Sequence, residues 1–155
     1  WRELGSAAPR LLILGRRGSE ADMVVDMLDR SPMAGRVVFE RPDLPDAEVA
    51  ARLSDARALL APSLAEGVGL QAAEALGAGC PVIAADLPAL RAMGGEAPDY
   101  LDPLDLPAWI ETILAYAHPA DEGADPRAAQ LARMAAWRAP RWEDHFDAVE
   151  AALDA

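Results

Sequence analysis

The sequence contains no lysine; all 14 basic side chains among its 155 residues are arginines. That removes a receiver-type signalling domain, which relies on a lysine beside an acidic cluster at its strand ends. Cysteine occurs once, at Cys80, which excludes an internal disulfide framework and a cysteine-based metal site. The two histidines, His118 and His145, lie far apart and lack ligand spacing, so they read as surface or cap residues. No apolar run is long enough to span a bilayer, and no stretch reads as a signal peptide. There is no Walker loop and no Gly-x-Ser-x-Gly elbow, and Ser63 lacks a neighbour for nucleophilic work.

Positive charge is scarce overall. The net charge of −12 argues against nucleic acid and anionic membrane surfaces as partners. It leaves a phosphate ligand open, because Arg16, Arg17, Arg36 and Arg41 could offset the field locally. Aromatics make up only 5% and alanine is abundant, as in a helix-rich α/β protein. A length of 155 residues suits one domain with a single core. The chain opens on Trp1 rather than Met, so it reads as a piece of a longer protein.

Short apolar runs alternate with helical patterns. A buried parallel strand is predicted at 11–14, and further strands at 37–39, 58–61, 82–84 and, as a short edge strand, 100–101. Ser19 or Asp22 can cap a helix running to about Arg30, and Asp46 a helix over 46–55. A helix from about Leu70 to Ala78 stops at Gly79, and Pro88 begins another that ends at Gly94-Gly95. Residues 107–117 and 126–137 read as helices, and Pro140 starts a last one reaching about Leu153. Asp121 to Asp125 reads as the most flexible loop. Strands alternating with helices imply a Rossmann-like, three-layer α/β fold with a parallel sheet and a helical C-terminal tail.

Ligands of open α/β sheets bind beyond the carboxyl ends of the strands. Three loops fall there: 15–18, 41–43 and 66–70. The last holds Glu66-Gly67-Val68-Gly69-Leu70, a glycine turn leading into a helix N-terminus, whose free amides attract phosphate or sugar oxygens. Glu74 follows, the only charged residue between Glu66 and Asp86. Its neighbours are apolar or glycine, so it is expected in dry surroundings, where a carboxylate is costly unless paired. It could accept two hydrogen bonds from a ribose diol. Spacing alone favours a plainer reading, in which Glu66 is a solvated loop residue and Glu74 caps local amides. Arg16 and Arg17 could contact phosphate, but read more simply as solvated. Trp109, Trp137 and Trp142 read as core and helix-packing residues.

A longer run of residues carries a resemblance. Pro62-Ser63-Leu64-Ala65-Glu66-Gly67-Val68-Gly69-Leu70, then Glu74-Ala75-Leu76-Gly77-Ala78-Gly79-Cys80-Pro81-Val82-Ile83-Ala84, resembles the donor-site signature of the retaining GT-B glycosyltransferases of family 4. Gly35-Arg36-Val37-Val38-Phe39, Pro45-Asp46-Ala47-Glu48-Val49, Asp86-Leu87-Pro88-Ala89-Leu90-Arg91, Gly95-Glu96-Ala97 and Asp102-Pro103 extend the match over about residues 10–117. The resemblance implies the C-terminal, nucleotide-sugar donor domain of a two-domain enzyme, spanning 1–155. It would take part in moving a sugar from a UDP-, GDP- or ADP-sugar to a hydroxyl acceptor with retention. Glu74 would hold the ribose hydroxyls, and Glu66, the residue assigned to catalysis, would lie by the donor sugar. The amides of Gly67, Val68, Gly69 and Leu70 would meet sugar and diphosphate. Arg41 to Leu44 would border the base, and Arg16 is carried as a further donor-binding residue.

The resemblance implies no metal and no cofactor besides the donor. The acceptor, a glycan or a lipid-linked glycan, would be bound by the missing N-terminal domain. The setting would be cytoplasmic polysaccharide assembly, with any membrane association through that domain. Val68 stands where phenylalanine is usual and Ala85 where serine is common. The family's donor domain also begins with a strand and helix bearing an arginine and a lysine for the diphosphate, which this sequence lacks. The chain alone is therefore expected to be inactive and to bind nucleotide weakly. A non-catalytic nucleotide-binding or assembly module is the alternative from another class, though both glutamates are present. A GT-B nucleotide-sugar epimerase is another, though neither histidine falls in a cleft loop.

Overall fold

A computed structural model describes residues 8–18, 21–118 and 125–154. The chain divides into two compact units, one ending at Val49 and the other starting at Ala50. In the first, β1 (Leu11–Leu14) pairs in parallel with β2 (Val38–Arg41), in the register Leu11 to Val38 and Leu14 to Arg41. Helix α1 (Asp22–Asp29) connects them. Parallel strands require such a crossover. Val38 and Ala8 are buried, but β1 is not the buried strand expected, since Leu12 is exposed and Leu11, Ile13 and Leu14 are half-buried; Met23, Val24 and Met27 of α1 are exposed too. Ser19, one of the two expected caps of α1, lies outside the described residues. Asp22 is not a cap: Ala21 takes that place without a side-chain bond, and Asp22 lies in the first turn. The same holds at α2 (Asp46–Asp55), where the Pro45 carbonyl accepts from the amides of Glu48 and Val49. Asp46 is thus the first helical residue, where its charge suits the helix dipole.

The second unit carries β3 (Leu59–Ala61), β4 (Val82–Ala85) and β5 (Asp99–Leu101), parallel and in that order. Helices α3 (Leu70–Gly77) and α4 (Pro88–Gly94) make the crossovers, followed by α5 (Leu106–Ala117), α6 (Pro126–Met134) and α7 (Trp142–Leu153). The alternation is the α/β, Rossmann-like one expected, with every strand pair parallel. The central strand β4 is buried along its whole length, as its Val-Ile-Ala-Ala run requires. Ala72, Ala75 and Leu76 of α3, Leu90 of α4 and Trp109 and Tyr116 of α5 complete the core.

Glycine ends α3 as expected. Gly79 takes φ +76°, its amide donates to the Leu76 carbonyl at 3.1 Å, and the Cys80 amide donates to that of Ala75 at 2.8 Å. These two bonds are a Schellman cap, which glycine favours because it has no Cβ. Asp121 to Ala124, most of the loop expected to be flexible, lie outside the described residues. The tryptophans divide: Trp109 is buried, Trp137 is half-buried with its indole N–H on the Met93 carbonyl, and Trp142 is 74% exposed. Trp142 is therefore not a core residue; it stacks on Phe146 of its own helix. Both histidines lie on the surface, His118 just past α5. Among the described residues no helix is long and apolar enough to cross a membrane.

Gly94 closes α4 against the turn into β5. A Cβ there would sit 2.5 Å from Pro98 Cγ and 2.8 Å from the Tyr100 hydroxyl. The hydroxyl is itself tied to the carbonyls of Gly95 and Leu90. Gly94→Ala should therefore cost about 1–3 kcal/mol of stability, the usual range for overpacking. The shift of the urea midpoint measures it.

Candidate functional site

Beyond the carboxyl end of β3 the chain passes Pro62 and Ser63 and turns at Glu66-Gly67-Val68-Gly69 into α3. Gly69 is the N-cap of α3 with φ +81°, a left-handed backbone that glycine adopts without strain. Glu66 organises the turn. Its Oε2 accepts from Gln71 Nε2 at 2.6 Å and from Ser63 Oγ at 3.3 Å, and its Oε1 accepts from the Gly67 amide at 3.1 Å. The Gln71 amide, then the Gly67 and Gly69 amides and the Ser63 hydroxyl, hold the Glu66 carboxyl below the usual carboxylate range, against a smaller opposing cost of burial. A depressed carboxyl stabilises the fold above its ordinary titration range and loses that contribution as pH falls. Glu66 is half-buried rather than a freely solvated loop residue, and Ser63 does have a partner in this carboxylate.

Glu74 sits in the second turn of α3, and its side chain is exposed. Its expected dry surroundings are therefore overturned. The 3.6-residue period turns Ala72, Ala75 and Leu76 inward and leaves Leu70 and Glu74, four apart, on the outer face. The Glu74 carboxylate makes no hydrogen bond or ion pair among the described residues, so it caps no local amide either. Val68 is 54% and Leu70 60% exposed. The turn and the outer face of α3 thus present two apolar side chains and a free carboxylate to solvent, while the Gly67 and Gly69 amides are turned to Glu66. Such a surface can accept from ligand hydroxyls at Glu74 and donate to oxyanions at the turn.

Arg16, Arg17 and Arg41 of the first unit have partners of their own. Arg16 Nε donates to Asp43 at 2.9 Å, with both side chains well exposed. Arg17 is held between Glu40 and Asp29, which raise its already high pKa further and lower their own. Arg41 Nη1 donates to the Glu40 carbonyl at 2.9 Å. Arg17 is therefore a structural ion-pair centre, since two carboxylates already match its charge. Cys80 is buried and has its thiol pushed up to about 11 by burial, which leaves it unreactive as a nucleophile.

A model of the family Glycosyl transferases group 1 matches residues 2–118. The chain belongs to that family. Similar proteins include O-antigen chain mannosyltransferase B of Escherichia coli, 31% identical over 104 residues that cover 67% of this chain and 27% of that protein. Serotype-specific mannosyltransferase WbdA of Escherichia coli is 30% identical over 129 residues, covering 79% of this chain and 16% of that protein. Among solved structures, that of TarM superposes with a TM-score of 0.61 at 19% identity, covering 81% of this chain and 24% of the other. That likeness shows the fold. The chain spans less than a third of the length of each of these proteins.

Within this chain of the group 1 family, the structure adds residues that sequence reasoning missed. Gln71 and Ser63 grip Glu66, and Gln130 is fully buried against β4. The Gln71 contact had a local signal, because a residue five positions after Glu66 at a helix start can reach back over the turn. Gln130 had none.

Proposed function

We propose that this chain is the donor-binding domain of a retaining, family-4 GT-B glycosyltransferase that binds a nucleoside-diphosphate sugar. The observation that carries the reading is the Glu66 carboxylate fixed in a glycine turn at the start of α3, with Glu74 free on the outer face of that helix. In this reading Glu74 accepts from the ribose hydroxyls. The Val68 and Leu70 amides meet the diphosphate and sugar, which the positive end of the helix favours, and the Gly67 and Gly69 amides would have to exchange the Glu66 carboxylate for the ligand to join them. Glu66, kept ionised, lies by the donor sugar and stabilises positive charge on its ring as the nucleoside diphosphate leaves. Arg16 and Arg41 are carried as further donor contacts; Arg16 would have to exchange Asp43 for phosphate. The reading includes no metal.

The mannosyltransferase names of the similar proteins make mannose the first sugar to try and a polysaccharide the first acceptor class. Transfer itself would need the rest of a longer protein. The test is ligand-observed NMR with UDP, GDP, ADP and their sugar conjugates, on the wild type and on Glu74→Ala. Losing charge-assisted hydrogen bonds worth about 1.5–3 kcal/mol should weaken nucleotide binding roughly 10–100-fold. The fold should be unchanged, because the Glu74 carboxylate has no partner to lose. Equal binding by both proteins would sink the assignment of Glu74.

A further inference from the structure

The structure assigns to Gln71 a positioning role: its side-chain amide holds the Glu66 carboxylate ionised and aimed for the donor sugar. The inference rests on the donor-site reading above and adds the residue that sets its charge. Side-chain and backbone donors converge on Glu66, and Gln71 makes the shortest contact, 2.6 Å to Oε2. The Ser63 hydroxyl lies on the same oxygen at 3.3 Å, so Oε2 is occupied from two sides while Oε1 faces the turn amides. A carboxylate pinned this way is an acceptor on both oxygens. Protonating it would place a hydroxyl against donors and break the pattern. Gln71 lies in the first turn of α3, so the grip also ties the carboxylate to the helix whose amides open the site.

Among the described residues no arginine takes part in this grip: the donors to Glu66 are a carboxamide, a hydroxyl and backbone amides. A neutral holder has a consequence. It stabilises the carboxylate by hydrogen bonding without cancelling its charge, so Glu66 keeps a full negative charge to set against a developing cation. An arginine in that place would quench it.

The test follows the Glu66 side-chain carboxyl carbon by NMR across pH in the full chain labelled at glutamate, with the resonance assigned by its loss in Glu66→Gln. Gln71→Met keeps the length and removes the donor; Gln71→Glu puts a second acceptor there. Glu66 should titrate below the ordinary range in the wild type, higher in Gln71→Met, and higher again in Gln71→Glu. Amide spectra should show that all three are folded. At neutral pH, GDP-mannose affinity should fall on the order of tenfold in Gln71→Met, while GDP affinity stays within about twofold, because the sugar end alone is misaligned.

A Glu66 midpoint that does not move between wild type and Gln71→Met overturns the inference and leaves the donor-site reading standing. A midpoint that moves while GDP-mannose and GDP binding are both unchanged overturns it too, since the charge then has no bearing on the sugar. Full GDP-mannose affinity in Glu66→Gln overturns instead the reading of Glu66 as a donor-sugar residue, and the role of Gln71 falls with it.

Discussion

Replacing Gln130 with leucine is expected to lower the stability of the chain by roughly 3–5 kcal/mol, the sum for two or three buried polar groups left without partners. Gln130 lies on α6 and is 0% exposed. Its Oε1 accepts from the Val82 amide at 3.1 Å, and its Nε2 donates to the Val82 carbonyl at 2.6 Å. Val82 opens the central strand. Strand β5 pairs with β4 only from Ile83 onward, where Ile83 faces Asp99. One edge of Val82 would therefore stop short of a strand partner. The carboxamide supplies the donor and acceptor that another peptide would have supplied. The Tyr116 hydroxyl also lies 2.8 Å from Gln130 Oε1 and 2.6 Å from Asp99 Oδ2. The result is a polar plug under α5 and α6 that joins the sheet to the C-terminal helices. Leucine fills the space but bonds to nothing.

Urea unfolding gives the cost directly. Tyr116→Phe is the companion variant, since it removes one hydroxyl and leaves the carboxamide on Val82; about 1 kcal/mol is expected for it. A Gln130→Leu midpoint within that smaller loss would mean that Val82 finds other partners.

Gln130 also shows where sequence reading stops. It sits in Ala-Ala-Gln-Leu-Ala, where glutamine is an ordinary helix former, and its partner lies 48 residues away. No local pattern marks such a pairing. The elements themselves were legible because their signals are local. The Val82-Ile83-Ala84 run marked a strand, Gly79 a helix stop, and Pro88 a helix start. The strands lie within two residues of their expected places.

The site was legible in part, and Glu74 explains how the reading erred. Its linear neighbours are apolar, which suggested a dry carboxylate. A helix sorts neighbours by angle rather than by distance along the chain. Ala72, Ala75 and Leu76 go to the core and Glu74 goes to solvent. Exposure removes the argument from burial and leaves a free acceptor that a ligand could meet. Glu66 erred in the other direction. Read as solvated on spacing alone, it is the most heavily bonded group of the turn, because Gln71 and Ser63 reach it once the helix forms. At Arg17 the pairing with Asp29 and Glu40 depends on how α1 and β2 pack within the first unit, which residue spacing does not encode.

Gly69→Ala is expected to cost about 2–5 kcal/mol, from two separable causes. The first is backbone strain. A φ of +81° places an alanine in the left-handed region at roughly 1–2 kcal/mol. The second is a collision, because a Cβ at residue 69 would lie 2.9 Å from Leu90 Cδ2. Leu90 is 0% exposed, so it has nowhere to retreat, and overpacking of this kind adds about 1–3 kcal/mol. Gly79 separates the two causes. Its φ is +76°, and a Cβ there would meet nothing within 4 Å. Gly79→Ala should therefore show the strain alone, about 1–2 kcal/mol. The difference between the two variants is the collision. Trimming the obstacle tests that assignment: Leu90→Ala in the Gly69→Ala background should cost less than the sum of the single changes, by about 1 kcal/mol or more, as for residues in contact. Strict additivity would place the whole loss in the backbone. The collision also bears on the site. Relieving it pushes the α3 N-terminus away from α4, and the amides of the Gly67-Val68-Gly69 turn move with it. In the donor-site reading nucleotide binding should then fall in Gly69→Ala even well below its unfolding midpoint, and stay near wild type in Gly79→Ala, whose strain lies at the far end of the helix.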